Sequence, residues 1–286
     1  MMQASKPLRF IPGTPAFWVA WGALGFGTIL AGYHPSREHG SSGLVTTRGN
    51  SLSAAESLQE SFGTIRGQVV FAADKIPARE KLKIDRDQDH CLSKGPLLDE
   101  KWVVNPDTKG VQWVVVFLRF NPGAPITGVK AGEKLPDAVL DQPVCYFHPH
   151  VLAVREGQRI VAKNPAPVAH NVVITGLKNS YNIQIPPGGQ YVFDKGLVRE
   201  NNAIKISCGA HPWMSGWAWV FDHPYFAVTD EQGRFEMKAP AGEQRLVVWH
   251  EAIGYLGGRE GRQGRPVQVP AGGVLDLGRL EIKPTQ

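Results

Sequence analysis

The chain has 286 residues, room for one large domain or two ordinary ones, and its 42% hydrophobic and 20% charged content describe a globular protein. The formal net charge is +5, but the Lys and Arg residues are scattered rather than massed in blocks, which argues against a nucleic-acid partner and leaves ordinary solubility as the plain meaning of the charge. The 32 glycines and 22 prolines favour many short strands joined by turns over a helical bundle.

In chain order, Lys6 and Arg9 precede the uncharged run PAFWVAWGALGFGTILAGY, residues 15–33. It is longer than the apolar core of an ordinary signal peptide and close to the shortest comfortable membrane span. Cleavage after Ala31 would put Ile29 where a small residue is preferred, and no cysteine follows to carry a lipid. The expectation is an uncleaved membrane helix over 1–33, basic end inside, with a cleaved signal as the alternative. Either way the remainder is exported to the periplasm or another extracytoplasmic space. Residues 34–62 are polar, rich in Ser and Gly and without an apolar period, and read as a flexible linker.

Structure is expected to begin at GTIRGQVVF, residues 63–71. KLKID and KWVVN are short strand candidates, and GVQWVVVFLRF is the strongest, a near-continuous run of β-formers. A Pro/Gly-rich loop spans 121–143. HVLAV, QRIVAKN, HNVVITG, GGQYVFD, AIKISC and GWAWVFD then alternate with turns. FAVTDEQGRFEMKAPAGEQRLVVWHE holds two strands about a Pro-Ala-Gly turn, and RPVQVPAGGVLDLGRLEI repeats that pattern. No helix is expected after the anchor. The fold class is all-β, built as two sandwiches.

Three cysteines in an exported chain leave one over. Cys91 in DQDHCLSKG and Cys145 in QPVCYFHPH lie beside turn-like sequence and pair naturally as a disulfide in an oxidising compartment. Pairings that use Cys208 are the alternative. If Cys208 is free, it needs protection from oxidation, and metal ligation supplies it. In SCGAHPWMSG the residues Cys208, His211 and Met214 follow one another at intervals of three, and His170 in NPAPVAHNVVITG offers a second imidazole upstream. A thiolate, two imidazoles and a thioether are the donors of a mononuclear copper electron-transfer site, trigonal His₂Cys with a long axial Met. Soft sulfur favours Cu(I), nitrogen suits Cu(II), and an intermediate geometry keeps reorganisation small. Zinc would take the Cys and both His but has little use for Met. A dinuclear copper centre would need a second cysteine in the loop. The bland alternative is a chance gathering of core and turn residues.

HVLAVREGQRIVAKNPAPVAHNVVI, followed by CGAHPWMSGWAWV with Cys208 placed 38 residues after His170, resembles the cupredoxins, in the short-loop form of amicyanin. The resemblance covers roughly 144–222, with GVQWVVVFLRF as the candidate for the usual first strand. It implies a Greek-key β-sandwich holding copper through His170, Cys208, His211 and Met214. It also implies that Asn171 hydrogen-bonds towards the Cys208 loop, and that His211, beside Pro212 and Trp213, is the exposed ligand through which electrons leave. The chain continues past the point where cupredoxins commonly end. Its TDEQGRF strand, Pro-Ala-Gly turn and following apolar strand resemble the carboxypeptidase regulatory-like, or transthyretin-like, sandwich, whose customary opening strand lies back at 63–71. The implied organisation is an anchor over 1–33, a linker over 34–62, first strands of the regulatory-like sandwich over 63–90, an inserted cupredoxin-like domain over 91–222, and the rest of the regulatory-like sandwich over 223–286.

His148 and His150 form one His-x-His pair of the kind multicopper oxidases use in numbers, and read more simply as strand-edge residues. His223, and His250 beside Glu251, are left structural. Trp217 and Trp219 alternate on one strand face and read as core. Nothing resembles a phosphate loop or a nucleophile–base pair, so the expected role is an electron carrier working with redox partner proteins, not an enzyme. The competing readings are an extracytoplasmic binding module for a carbohydrate or surface partner with a structural metal, and a copper storage or delivery protein.

Overall fold

The computed structural model describes residues 61–130 and 132–284. The helix expected over 1–33 and nearly all of the linker expected over 34–62 lie outside the described residues. Among the described residues no helix is long and apolar enough to cross a membrane.

The described fold is all-β, with helix confined to two single turns, Gln88–Cys91 and Gly258–Gly261. The strands are β1 (Phe62–Phe71), β2 (Val115–Leu118), β3 (Ala138–Asp141), β4 (Val151–Arg155), β5 (Ile160–Lys163), β6 (His170–Thr175), β7 (Ser180–Ile185) and β8 (Gln190–Phe193). They continue with β9 (Ile204–Ser207), β10 (Ser215–Phe221), β11 (Phe226–Val228), β12 (Arg234–Pro240), β13 (Gly242–His250), β14 (Gly254–Tyr255), β15 (Arg265–Val269) and β16 (Val274–Ile282).

Four sheets result. Two have the orders β12-β1-β16 and β11-β2-β13-β14, the latter with β15 also on β13; the other two have the orders β3-β5-β8 and β4-β10-β9-β6-β7. Alternation along the strands stacks them. Val116 and Leu118 of β2, with Leu246 and Val248 of β13, face β1, β12 and β16 in one core. The residues between them, Val115, Phe117, Val247 and Trp249, face the other way and meet Val151, Trp219 and Phe221 of β4 and β10. In turn Leu152, Val154, Ala218 and Val220 face the core shared with β3, β5 and β8. Two sandwiches therefore lie back to back, joined by an aromatic seam in which Trp219 and Phe221 stack on one strand and Phe117 packs on both.

This arrangement corrects several expectations. GVQWVVVFLRF does not open the sandwich that carries His170 and Cys208; its strand β2 pairs with β11 and β13 in the other one. The reason is burial on both faces, which makes the run near-continuously apolar and erases the alternation that would assign it to a sheet. Trp217 and Trp219 do share a face, and it is the seam between the sandwiches rather than either interior. KLKID and KWVVN are reduced to isolated bridges, Lys81 to Leu98 and Val104 to Val111. The stretch read as a loop over 121–143 ends in β3, which pairs in parallel with β5.

Of the strands in the first sandwich, β1 pairs antiparallel with β12 and parallel with β16. The turn before β12 sets that register. Asp230 accepts hydrogen bonds at Oδ1 from the N–H groups of Gln232 (2.9 Å) and Arg234 (2.8 Å). Gly233 then adopts φ +74°, and its carbonyl accepts from Val69 N–H at 2.7 Å. A Cβ here would strike the Val69 carbonyl oxygen and lie 2.6 Å from Val111 N. Gly233→Ala is expected to lose at least about 1–2 kcal/mol from the left-handed backbone alone, with the clash added, and denaturant unfolding measures it; an unchanged midpoint would show that this turn does not hold β1 in register.

Candidate metal centre

His170 opens β6, at the end of that strand facing the loop that joins β9 to β10. The loop is closed by its own backbone: Cys208 N–H donates to Met214 O at 3.3 Å and Met214 N–H to His211 O at 2.9 Å. Ser207 and Ser215 pair as neighbouring strand ends, so seven residues return the chain on itself and present Cys208, His211 and Met214 at one edge of the sheet. Cys208 is a free thiol. All four residues are buried: His170 and His211 are 0% exposed, Met214 1% and Cys208 3%.

Three of the four sequence-derived donors are shown together by their atoms. One ligand atom each from His170, Cys208 and His211 lies within 4.8 Å of the others. The ring nitrogens meet at 2.9 Å, Nδ1 to Nδ1, and Cys208 Sγ is 3.7 Å from His211 Nδ1. Two nitrogens bound to one ion at about 2.0–2.1 Å sit roughly 3.3–3.6 Å apart, so the two rings need part only slightly. Cys208 Sγ also accepts a hydrogen bond from the backbone N–H of Asn171 at 3.2 Å. That donor stabilises negative charge on the sulfur. The Asn171 side chain lies beside Gly209 of the same loop, and its Nδ2 donates to Asn182 Oδ1 at 3.1 Å. The hydrogen bond from Asn171 to Cys208 is a main-chain one. Met214 is buried in the same core as Cys208.

Burial pushes the His170 imidazole down to about 4, His211 and His90 push in the same direction, and Asp87 opposes them. His170 is therefore neutral at physiological pH and keeps a lone pair for a metal. A buried N₂S set of soft and borderline donors suits copper and zinc alike.

One site expectation is corrected. His211 is not an exposed edge, because its Nε2 lies 2.8 Å from Asp87 Oδ2 and the residue is wholly covered. Asp87 comes from a strap over 79–101 that closes on itself through Leu82 N–H to Leu97 O (2.9 Å) and Asp99 N–H to Glu80 O (2.8 Å). Cys91, one helical turn beyond Asp87, forms the expected disulfide with Cys145. Its sulfurs lie against the site, since Cys91, Cys145 and His211 also bring ligand atoms within 4.8 Å of one another. Asp87 carried no signal in the sequence.

The two histidines of the His-x-His pair differ in burial, His148 exposed and His150 3% exposed, and both rings pack near Trp113. His150 instead lies between two carboxylates that sequence reasoning left unassigned to it. Its Nε2 hydrogen-bonds Glu251 Oε1, and its Nδ1 faces Glu100 Oε2 at 3.5 Å. Trp217 Nε1–H donates to the other oxygen of Glu251 at 2.8 Å. Burial alone would lower the His150 imidazole, but hydrogen bonds and charge from Glu100 and Glu251 raise it to about 9. A cavity of about 630 Å³ runs from Trp213 and Met214 to this cluster. His223 (4% exposed) and His250 (1%) pack against aromatic rings, and burial holds both down to about 4.

No protein-family description and no curated protein sequence matches the chain. Among solved structures it is similar to a purple cupredoxin from Nitrosopumilus maritimus, at 21% identity over 29% of this chain and 99% of that one, TM-score 0.25. It is also similar to an oxidised amicyanin variant, at 22% identity over 29% of this chain and 81% of that one, TM-score 0.26. A third is the copper-containing nitrite reductase of Thermus scotoductus SA-01, at 20% identity over 37% of this chain and 28% of that one, TM-score 0.27. At such TM-scores the functional reading rests on the donor atoms themselves.

Proposed function

We propose that this chain is an extracytoplasmic copper protein of cupredoxin type that carries single electrons, with His170, Cys208, His211 and Met214 as the ligands. The convergence of two imidazole nitrogens and one free thiol in a buried pocket supports it most directly. Copper, when bound, supplies a one-electron couple. The residues do the rest: β6 and the 208–214 loop fix the donors at one sheet edge, the Asn171 N–H holds charge on sulfur, and burial excludes water. Low exposure of every donor favours retention over ready exchange, and so favours a carrier over a storage or delivery role. The first sandwich is read as regulatory-like, the segment over 1–33 as the membrane anchor, and the redox partners as other proteins.

Loading the full chain with copper is expected to give one copper per chain, an intense visible thiolate-to-copper band and a narrow electron-spin copper splitting. A colourless protein that nevertheless binds Cu(II) would overturn the reading.

A further inference from the structure

Resting on that reading, we propose that Asp87 is a positioning residue for His211, held in place by the Cys91–Cys145 disulfide, and that the strap carrying it replaces the solvent-facing histidine edge with a closed cover. A carboxylate only accepts hydrogen bonds, so the Asp87 Oδ2 to His211 Nε2 contact at 2.8 Å requires the proton on Nε2. That leaves the Nδ1 lone pair turned towards Cys208 and His170, the side on which the other donors lie. A carboxylate on the far nitrogen of a metal-binding imidazole fixes its tautomer and ring orientation and raises its basicity.

The strap is built to hold that contact. Asp87 has φ 49° and ψ 33°, left-handed backbone at a non-glycine residue, a conformation that persists where the surroundings over-determine it. Its carbonyl accepts from Cys91 N–H at 2.9 Å, so the bonded sulfur of Cys91 and the carboxylate of Asp87 sit on one helical turn. Ile84, three residues earlier, is buried in the same core as Cys208 and Met214. The turn is thus pinned on both sides of Asp87, by packing at Ile84 and by the covalent link to Cys145. The consequences are that copper leaves slowly and that electrons do not leave through a bare His211 edge.

The test uses the full chain with Asp87→Ala, Asp87→Asn and a Cys91→Ser/Cys145→Ser double variant. Asp87→Ala is expected to weaken copper binding by roughly 10–100-fold, the usual effect of losing such a supporting group, and to speed copper loss to a chelator. Asp87→Asn retains an acceptor for Nε2–H and so most of the affinity, but removes a negative charge beside the ion and raises the reduction potential. The double variant is expected to speed copper loss in the same direction as Asp87→Ala. Wild-type affinity, potential and exchange in Asp87→Ala would overturn the role of Asp87, and unchanged exchange in the double variant would overturn the role of the disulfide. A metal-independent measurement separates this inference from the copper reading. The imidazole ¹⁵N shifts of His211 in the metal-free chain should report the Nε2–H form in the wild type and its loss in Asp87→Ala. A wild type with the proton on Nδ1 refutes the proposal whether or not copper binds.

Discussion

On the copper reading, Cys208→Ser is expected to abolish the intense visible absorption of the copper-loaded chain while the metal-free fold persists. The thiolate is the only donor in the set able to give that charge-transfer band, and a hydroxyl at the same place is a poor ligand for copper. The loss of affinity should exceed the roughly 10–100-fold that removal of a supporting residue costs. The fold survives because serine keeps an acceptor for the Asn171 N–H, which now meets Sγ at 3.2 Å. Unfolding of the metal-free variant should therefore shift by no more than about 1–3 kcal/mol, the range for a perturbed buried polar contact. Met214→Leu gives the contrast: if the Met214 thioether joins the set, it would tune the site more than hold the ion, so the band should shift and remain. A Cys208→Ser chain that stays coloured would mean that the ion is held elsewhere.

Glu251→Gln is expected to cost about 3–5 kcal/mol, the usual result of removing one partner from a buried charge pair. His150 is 3% exposed, and the Glu251 side chain 12%. Their shifts agree in direction, the imidazole raised to about 9 and the carboxyl held below its ordinary range despite burial, through the His150 hydrogen bond and charge. The raised imidazole fixes the sign of the pH effect. A histidine whose folded value exceeds its unfolded one contributes fully below about 6.5, and that contribution is lost as pH rises through about 9. The gap corresponds to about 3 kcal/mol. Wild-type stability should thus decline between pH 7 and 9.5, and Glu251→Gln should flatten the decline, leaving the two proteins closer at pH 9.5 than at pH 6.5. Parallel curves would show that the pair is not what holds His150 charged.

What could be read from the sequence follows the distance over which each feature is encoded. The Cys208, His211 and Met214 set was legible because one loop of seven residues contains it, and His170 because it opens an alternating strand with Val172 and Ile174 buried on one face. Counting three cysteines left one over, and the turn-like settings of Cys91 and Cys145 favoured Cys208 as that one while pairings through Cys208 stayed open; the disulfide and the free Cys208 settle it. Asp87 was not legible, since it meets His211 across 124 residues from within DRDQDHC, where nothing distinguishes it from the neighbouring acidic residues. The Glu251 partner of His150 lies 101 residues away and looked instead like a companion of His250. Strand β2 was recognised as a strand and placed in the wrong sandwich, because a segment covered on both faces has no polar side to reveal its neighbours. Strand β7, SYNIQI, was passed over although exposed Ser180, Asn182 and Gln184 alternate strictly with the more covered Tyr181, Ile183 and Ile185.

The pairing of β1 has a consequence for the order in which the molecule assembles. Its partners β12 and β16 begin at Arg234 and Val274, so its edges stay open until nearly all of the described chain has been made. The sandwich of β3 to β10 is complete by Phe221 and free to close earlier. Contacts so distant along the chain slow folding and prolong the life of unpaired edges. The last described strand therefore acts as a latch: shortening the chain before Val274 would strand β1 with one edge bare, a template for aggregation even where the sandwich that carries Cys208 is intact.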